Sequence, residues 1–405
     1  MNMRKIAFIA SGHAGSTMPL IKTFIEKGYA IDYFILCNKE VHNIEATDCR
    51  YTPTHRGVEE IPSKYWPKLF FNYIKSDRFR IFSISTCRPF ENILFLNRVV
   101  GIVRSCHIKR ACDYINSQNY CFVNFIGRYQ VSDIVQYGKF IKTKYVVSLH
   151  EVCNHFSPDF NRSNHVLRYL YRNRIPIILF SDKSMDDIKK YKDSKDAVIY
   201  RENFGEFDSF KIFQGRKSLA LPDDYVLFIG RLTPYKGLRL FFEATKELAL
   251  DGQKFVVAGN GWDEALNNIK NTPNYTIINR YLTDEDFVEL VERCSFVVCP
   301  YTSMSQSGIP QTVFVFNKTI VATDLDGFRE IIIDEKNGIL CTPNDKKKLS
   351  DSISLLINQP RIREELERGV KQFDKLFPLY SWNEIASKYE RDFVGDQILD
   401  GEKTS

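Results

Sequence analysis

The stretch VVCPYTSMSQSGIPQTVFVFNKTIVATD, residues 297–324, reads as strand, turn, helix and strand. An apolar run ends near Val298, and Ile309-Pro310 opens a second apolar segment with proline at a first-turn position. Between them lie Thr302, Ser303, Ser305, Gln306, Ser307 and Gly308, with no carboxylate. Small hydroxyls and a glycine at a strand-to-helix handover suit an anion, because helix N-termini present free N–H groups and a positive dipole end. An N-capping serine in an ordinary turn is the alternative, and only neighbouring junctions decide between them.

Similar units extend on both sides. YVLFIGRL (225–232), KFVVAGN (254–260), YTIINRYL (275–282), SFVVCPY (295–301), TIVATDL (319–325) and GILCTP (338–343) alternate with helical segments, predicting a doubly wound parallel sheet. A looser alternation precedes it: KIAFIA (5–10), AIDYFILC (30–37), YCFVNFIG (120–127), KYVVSLH (144–150), PIILFSD (176–182) and AVIYREN (197–203). PLIKTFIEKG (19–28) is expected to be the first helix, with an early proline and a glycine stop. At 405 residues two domains are expected. The boundaries read as 1–205, a linker at 206–222 and a second domain at 223–380. In residues 381–405, SWNEIASKYERDF opens on a Ser381–Glu384 capping box and carries an Ile385, Tyr389 and Phe393 stripe.

Composition narrows the class. No apolar run of about 18 residues occurs to span a membrane, and the apolar run near the start is too short for a signal-peptide core. The ten cysteines show neither disulfide nor zinc spacing, so free thiols in a reducing cytoplasm are expected. The net charge of +6 is uneven: residues 64–110 hold ten Lys and Arg against Asp77 and Glu91, interleaved with aromatics. Two readings stand for that region, a peripheral contact with the cytoplasmic face of a membrane and a solvated helical face whose aromatics belong to the core. No nucleic-acid motif accompanies the charge.

In open parallel sheets, ligands bind at the carboxyl ends of strands. FIGRLTPYKGL (228–238) puts Gly230, Arg231 and Lys236 at one such end, just before a helix. Two cations there oppose the dipole unless an anion lies between them. VVAGNGW (256–262) brings Gly259 and Gly261, either a tight turn or an anion nest. Thr283 followed by three acids reads as a helix cap, and Asp324 with Asp326 lacks a third ligand, so no metal is expected. In the first half, ASGHAGSTMP (10–19) is a glycine-rich loop with Gly12, His13 and Gly15, outside the dinucleotide register. VVSLHEVCNH (146–155) ends a strand on His150 and Glu151, a plausible acid/base or sugar contact, with His155 behind them.

These motifs together resemble the retaining glycosyltransferases of family 4, with the GT-B fold of two Rossmann-like domains facing across a cleft. The resemblance implies that Arg231 and Lys236 hold the diphosphate of a nucleoside-diphosphate sugar, that His150 contacts the transferred sugar, and that the first domain takes the acceptor. The acceptor is expected to be a saccharide or lipid-diphosphate-linked saccharide of a bacterial surface polysaccharide. It implies that the last helix returns to the first domain, and that no cofactor is needed beyond the donor. The donor site then comprises Gly12, His13, Gly15, Glu151, Gly230, Gly259, Gly261, Tyr281, Leu282, Gln306, Ser307, Gly308 and Thr312. One departure stands out. Most members place two glutamates eight positions apart across this turn, the second on the donor ribose; here those positions are Met304 and Thr312. The Ser-Gln-Ser-Gly run resembles a subgroup tied to surface polysaccharides. A non-catalytic partner subunit and a nucleotide-sugar epimerase are the alternatives.

Overall fold

The computed structural model describes residues 3–395 except 11, 38–48, 50, 87–93, 127–130, 151, 153–159, 192–196 and 305. Contacts divide the chain into two units, Met1–Phe204 with Trp382–Ser405, and Gly205–Ser381.

The first unit holds β1 (Lys5–Ala10), β2 (Ala30–Cys37), β3 (Gly57–Glu60), β4 (Phe79–Ser85), β5 (Phe122–Ile126), β6 (Tyr145–Leu149), β7 (Ile177–Leu179) and β8 (Ile199–Arg201). They form one sheet in the order β3-β4-β2-β1-β5-β6-β7-β8, parallel except for β3, which runs antiparallel to β4. The sequence reading lacked β3 and β4. Arg80 gives FRIFSIS the look of a basic surface run, but in the sheet it stands beside Asp32 of β2. Asp32 is only 2% exposed, and Arg80 grips it with two hydrogen bonds of 2.9 and 2.8 Å while the Tyr120 hydroxyl donates to it as well. A cross-strand ion pair thus lets a charged residue sit in a near-central strand, which no local pattern announces.

The first helix runs Ala14–Glu26, five residues earlier than the proline suggested. The His13 carbonyl draws it forward by accepting from the Ser16 and Thr17 hydroxyls at 3.0 and 2.8 Å. Pro19 consequently lies inside the helix, where it forgoes one backbone donor. The chain returns to this unit through the Trp382–Tyr389 helix, which continues as a π-helical turn, Glu390–Val394. Its Ile385, Tyr389 and Phe393 stripe is buried. Tyr389 meets Phe24 edge-on, Phe393 meets Phe122, and Glu390 accepts from Lys27 and from the Tyr29 hydroxyl.

The second unit has six strands, β9 (Tyr225–Ile229), β10 (Lys254–Gly259), β11 (Tyr275–Asn279), β12 (Phe296–Cys299), β13 (Ile320–Thr323) and β14 (Gly338–Cys341). All pairings are parallel, in the order β11-β10-β9-β12-β13-β14. Near-continuous Val, Ile, Phe and Leu make these strands, because helices bury both faces. Residues 206–222, read as a linker, lie within this unit. Phe207 and Phe213 are buried, and the buried Glu289 carboxylate accepts from the Ser218 and Leu219 N–H groups at 2.8 and 2.9 Å. Burial pushes Glu289 up, but these bonds and Arg293 outweigh it and hold the carboxylate below its usual range.

Glu202 follows β8 and is fully buried, 3.1 Å from the Lys388 ammonium on the returning helix. Burial raises it from 4.5 to about 7, against the opposing pull of Lys388. The folded chain therefore holds this proton more tightly than the unfolded one. The associated stability is complete below the unfolded value and is lost as pH rises toward 7. Between pH 4.5 and 8, chemical denaturation should show wild type losing up to about 3 kcal/mol more than Glu202→Gln, given 1.36 kcal/mol per pKa unit. Parallel stability curves for the two proteins would rule this out.

Candidate active site

In the second sheet the strand order reverses between β9 and β12, so the loops leaving their carboxyl ends flank the topological switch point. The β9 loop carries Gly230, Arg231 and Lys236; the β12 loop carries Gln306, Ser307 and Gly308. Sequence placed these motifs 70 residues apart or more, and the structure brings their loops together. The Thr302 N–H donates to the Tyr235 carbonyl at 2.9 Å. Gly237 lies against Pro300 so closely that a Cβ would come 1.8 Å from the Pro300 oxygen.

Gly237 also has φ +74°, a left-handed conformation that turns the short 3-10 segment Pro234–Lys236 into the Leu238–Leu250 helix. That turn draws Lys236 inward: the residue is 8% exposed, with the ammonium 3.7 Å from the Tyr301 ring centre and 5.2 Å from that of Tyr235. Aromatic faces are one of the few settings in which an ammonium tolerates such burial. Burial pushes the neighbouring Cys299 thiol up to about 12, with the Lys236 charge opposing. Arg231 is exposed and its guanidinium donates to the Tyr235 hydroxyl at 3.0 Å. Tyr235 and Tyr301 were missed from sequence. Their only signal was adjacency, one beside Lys236 and one at the end of an apolar run.

Across the switch point, Ser307 is nearly buried, and its hydroxyl lies 3.4 Å from both the Tyr301 hydroxyl and the Ile309 N–H. Gly308 has ordinary helical angles, so its need is spatial: a Cβ would sit 2.9 Å from the Phe207 ring. The helix that follows, Ile309–Val315, has seven residues, so backbone N–H groups more than a long dipole define this end. Thr312 is buried and its hydroxyl donates to the Gly308 carbonyl at 2.9 Å, directed at its own helix. Met304 is buried against Gly327. Both positions where relatives in the resemblance carry glutamate are therefore packed into the domain.

Gly259 and Gly261 explain themselves through backbone contact. Both have positive φ, and a Cβ on either would strike the Gly230 or Leu232 oxygen, at 1.7 and 2.4 Å. A further bridge, Leu232 to Gly261, extends the β9–β10 pairing into the loops. Tyr281 is exposed and Leu282 half-buried just beyond β11. Thr283 caps the Asp284–Arg293 helix in a reciprocal capping box with Asp286. Asp324 and Asp326 both accept from Arg329, at 2.6 and 3.0 Å.

In the first unit, the loop after β1 meets the end of β6. His13, with φ 64°, stacks its ring on His150 with centres 3.5 Å apart and planes 5° from parallel. Phe180 and Phe204 stack on His150 as well, at 4.9 and 5.2 Å. Gly12 precedes this pair and Gly15 is the second residue of the helix. Glu151, His155 and Ser305 lie outside the described residues.

Replacing Gly237 with alanine should destabilise the second unit by about 2–4 kcal/mol, through the left-handed backbone and the Pro300 contact together. A melting-temperature fall of several degrees would register it; an unchanged melting temperature would show that the two loops are not held by this approach.

Residues 223–359 match the family model described as "Glycosyl transferases group 1". Among curated relatives, alpha-D-kanosaminyltransferase of Streptomyces kanamyceticus is 22% identical over 57% of this chain and 61% of its own length. N,N'-diacetylbacillosaminyl-diphospho-undecaprenol alpha-1,3-N-acetylgalactosaminyltransferase of Campylobacter jejuni is 29% identical over 40% of this chain and 43% of its own. The chain thus spans less than two thirds of the length of these relatives. Anabaena HepE in complex with UDP-glucose superposes with a TM-score of 0.62 at 13% identity, covering 96% of this chain and 98% of that one. The second unit therefore carries the pattern of the group 1 glycosyl transferases over residues 223–359, and the chain as a whole has the GT-B fold.

Proposed function

We propose that the protein is a retaining glycosyltransferase that moves a sugar from a nucleoside-diphosphate sugar to a hydroxyl of a saccharide or lipid-diphosphate-linked saccharide, in surface-polysaccharide synthesis. The observation that carries this reading is the convergence of Arg231, the buried Lys236, Ser307 and Gly308 at the switch point of one sheet. Cleavage of the donor bond builds negative charge on the leaving diphosphate. Preorganised cations and N–H groups in a site poor in water stabilise such charge most effectively. Arg231 offers a planar fork from the surface, and Lys236 a point charge held on aromatic faces. These side chains take the part that a metal ion plays elsewhere. On the first unit, His150, fixed in its ring stack, is assigned to the transferred sugar.

The comparisons lend support of two kinds. One solved structure of this fold is named as a complex with UDP-glucose, and one relative is named for an undecaprenol-diphosphate acceptor. No helix among the described residues is long and apolar enough to cross a membrane.

A thermal-shift panel of UDP, GDP, ADP and their sugars tests the donor site. Ligand at a hundredfold over its dissociation constant should add about 2.7 kcal/mol to the native state. The shift should appear with one base and vanish in Arg231→Ala and Lys236→Ala, each compared with its own ligand-free form. With no shift for any nucleotide, a non-catalytic partner subunit becomes the better reading. Product with inverted anomeric configuration, read by NMR coupling constants, would remove the retaining assignment.

A further inference from the structure

We infer that the exposed side of residues 61–76, in the first unit, is a docking face for a bilayer bearing anionic phospholipid headgroups. The structure separates the basic and aromatic stretch 64–110 into two parts. Phe70, Phe79 and Phe82 are core residues, Arg80 is bound to Asp32, and Arg104 is buried. Arg88, Phe90 and Glu91 lie outside the described residues, as do the side chains of Phe95 and Arg98. Within residues 61–76 the exposed charged and aromatic side chains are Lys64, Tyr65, Lys68, Phe71 and Lys75; Asp77, Arg78, Lys109 and Arg110 are exposed elsewhere in the stretch.

This short segment is anchored from below. Trp66 donates to the Ile61 carbonyl at 2.7 Å and meets Phe79 edge-on; Leu69, Phe70 and Ile74 are buried, with Phe70 edge-on to Tyr33. Anchoring on that side turns Phe71 outward, 48% exposed, and leaves Tyr65 36% exposed six residues earlier. A single exposed ring is ordinary on a soluble protein. Here each ring carries a lysine: the Lys75 ammonium lies 4.5 Å from the Phe71 ring centre and that of Lys64 4.9 Å from the Tyr65 ring centre. Lys68 stands one turn from Phe71 on the same helix, Lys68–Tyr73. Residues 61–76 contain no Asp or Glu, and the Lys75 ammonium also donates to the Phe71 carbonyl at 2.7 Å.

Rings at the depth of the headgroups with ammonium groups beside them match the chemistry of an anionic interface, where each lysine adds attraction and each ring adds apolar burial. The occupant is the lipid headgroup layer, not a nucleic acid, since no nucleic-acid-binding motif accompanies these residues. The surface stands on its own geometry and is independent of the transfer activity.

The test is co-sedimentation of the full chain with vesicles of phosphatidylcholine alone and of phosphatidylcholine with phosphatidylglycerol, at low and high salt. Binding is expected only with phosphatidylglycerol and should fall as salt rises. The triple variant Lys64→Ser, Lys68→Ser, Lys75→Ser should weaken it about a hundredfold, from the usual contribution per lysine near an anionic surface. Phe71→Ser should weaken it several-fold. All these side chains are exposed, so melting temperatures should match wild type. Absence of binding at low salt, equal binding to uncharged vesicles, or variants that bind like wild type would each overturn the proposal.

Discussion

The Lys236 ammonium rests 3.7 Å from the centre of the Tyr301 ring, and the arrangement of the second unit's ligand end follows from holding it there. A lysine so buried needs its charge met by groups that do not move. Tyr301, at the end of β12, and Tyr235, beside Lys236 in the β9 loop, supply aromatic faces. The β9 loop must then lie against the β12 loop, and Gly237 permits this by giving up a Cβ that the Pro300 carbonyl would exclude. The Thr302 N–H to Tyr235 carbonyl bond closes the same seam from the other side. Chemistry and packing are thus coupled: the residues that bury the cation also fix the distance between the two loops that an anion would bridge.

Close approach of backbone explains more of this site than conformational freedom alone. Gly259 and Gly261 bring the β10 loop onto Gly230 and Leu232, continuing the sheet beyond its regular strands. Gly308, with unremarkable angles, makes room for Phe207, which comes from the segment first read as a linker. That segment is fastened through Glu289, whose four hydrogen bonds from Ser218, Leu219 and Arg293 make a buried carboxylate stable as an anion.

The first unit solves a similar problem by stacking. His150 lies among His13, Phe180 and Phe204, so its ring plane is set by three neighbours from the connections after β1, β7 and β8. The stack therefore holds the His150 ring in place.

Much of this protein was legible along the chain. Apolar runs of five or six residues, punctuated by glycine and proline, gave both parallel sheets and the positions of Arg231, Lys236, Ser307 and His150 at their ligand ends, because period and turn chemistry are local properties. The acid-rich start at Thr283 was a cap for the same reason. What the chain alone left open depended on partners far away in sequence. Arg80 belongs to a strand because Asp32 lies beside it, and Gly308 is glycine because Phe207 occupies the space. His13 and His150, 137 positions apart, form one pair only once β1 and β6 share a sheet. Sequence by itself determined most strands of both sheets and the loops at their carboxyl ends, though not β3 or β4; tertiary structure alone decided which side chains meet in those loops, because burial, stacking and close backbone contact are properties of neighbours in space.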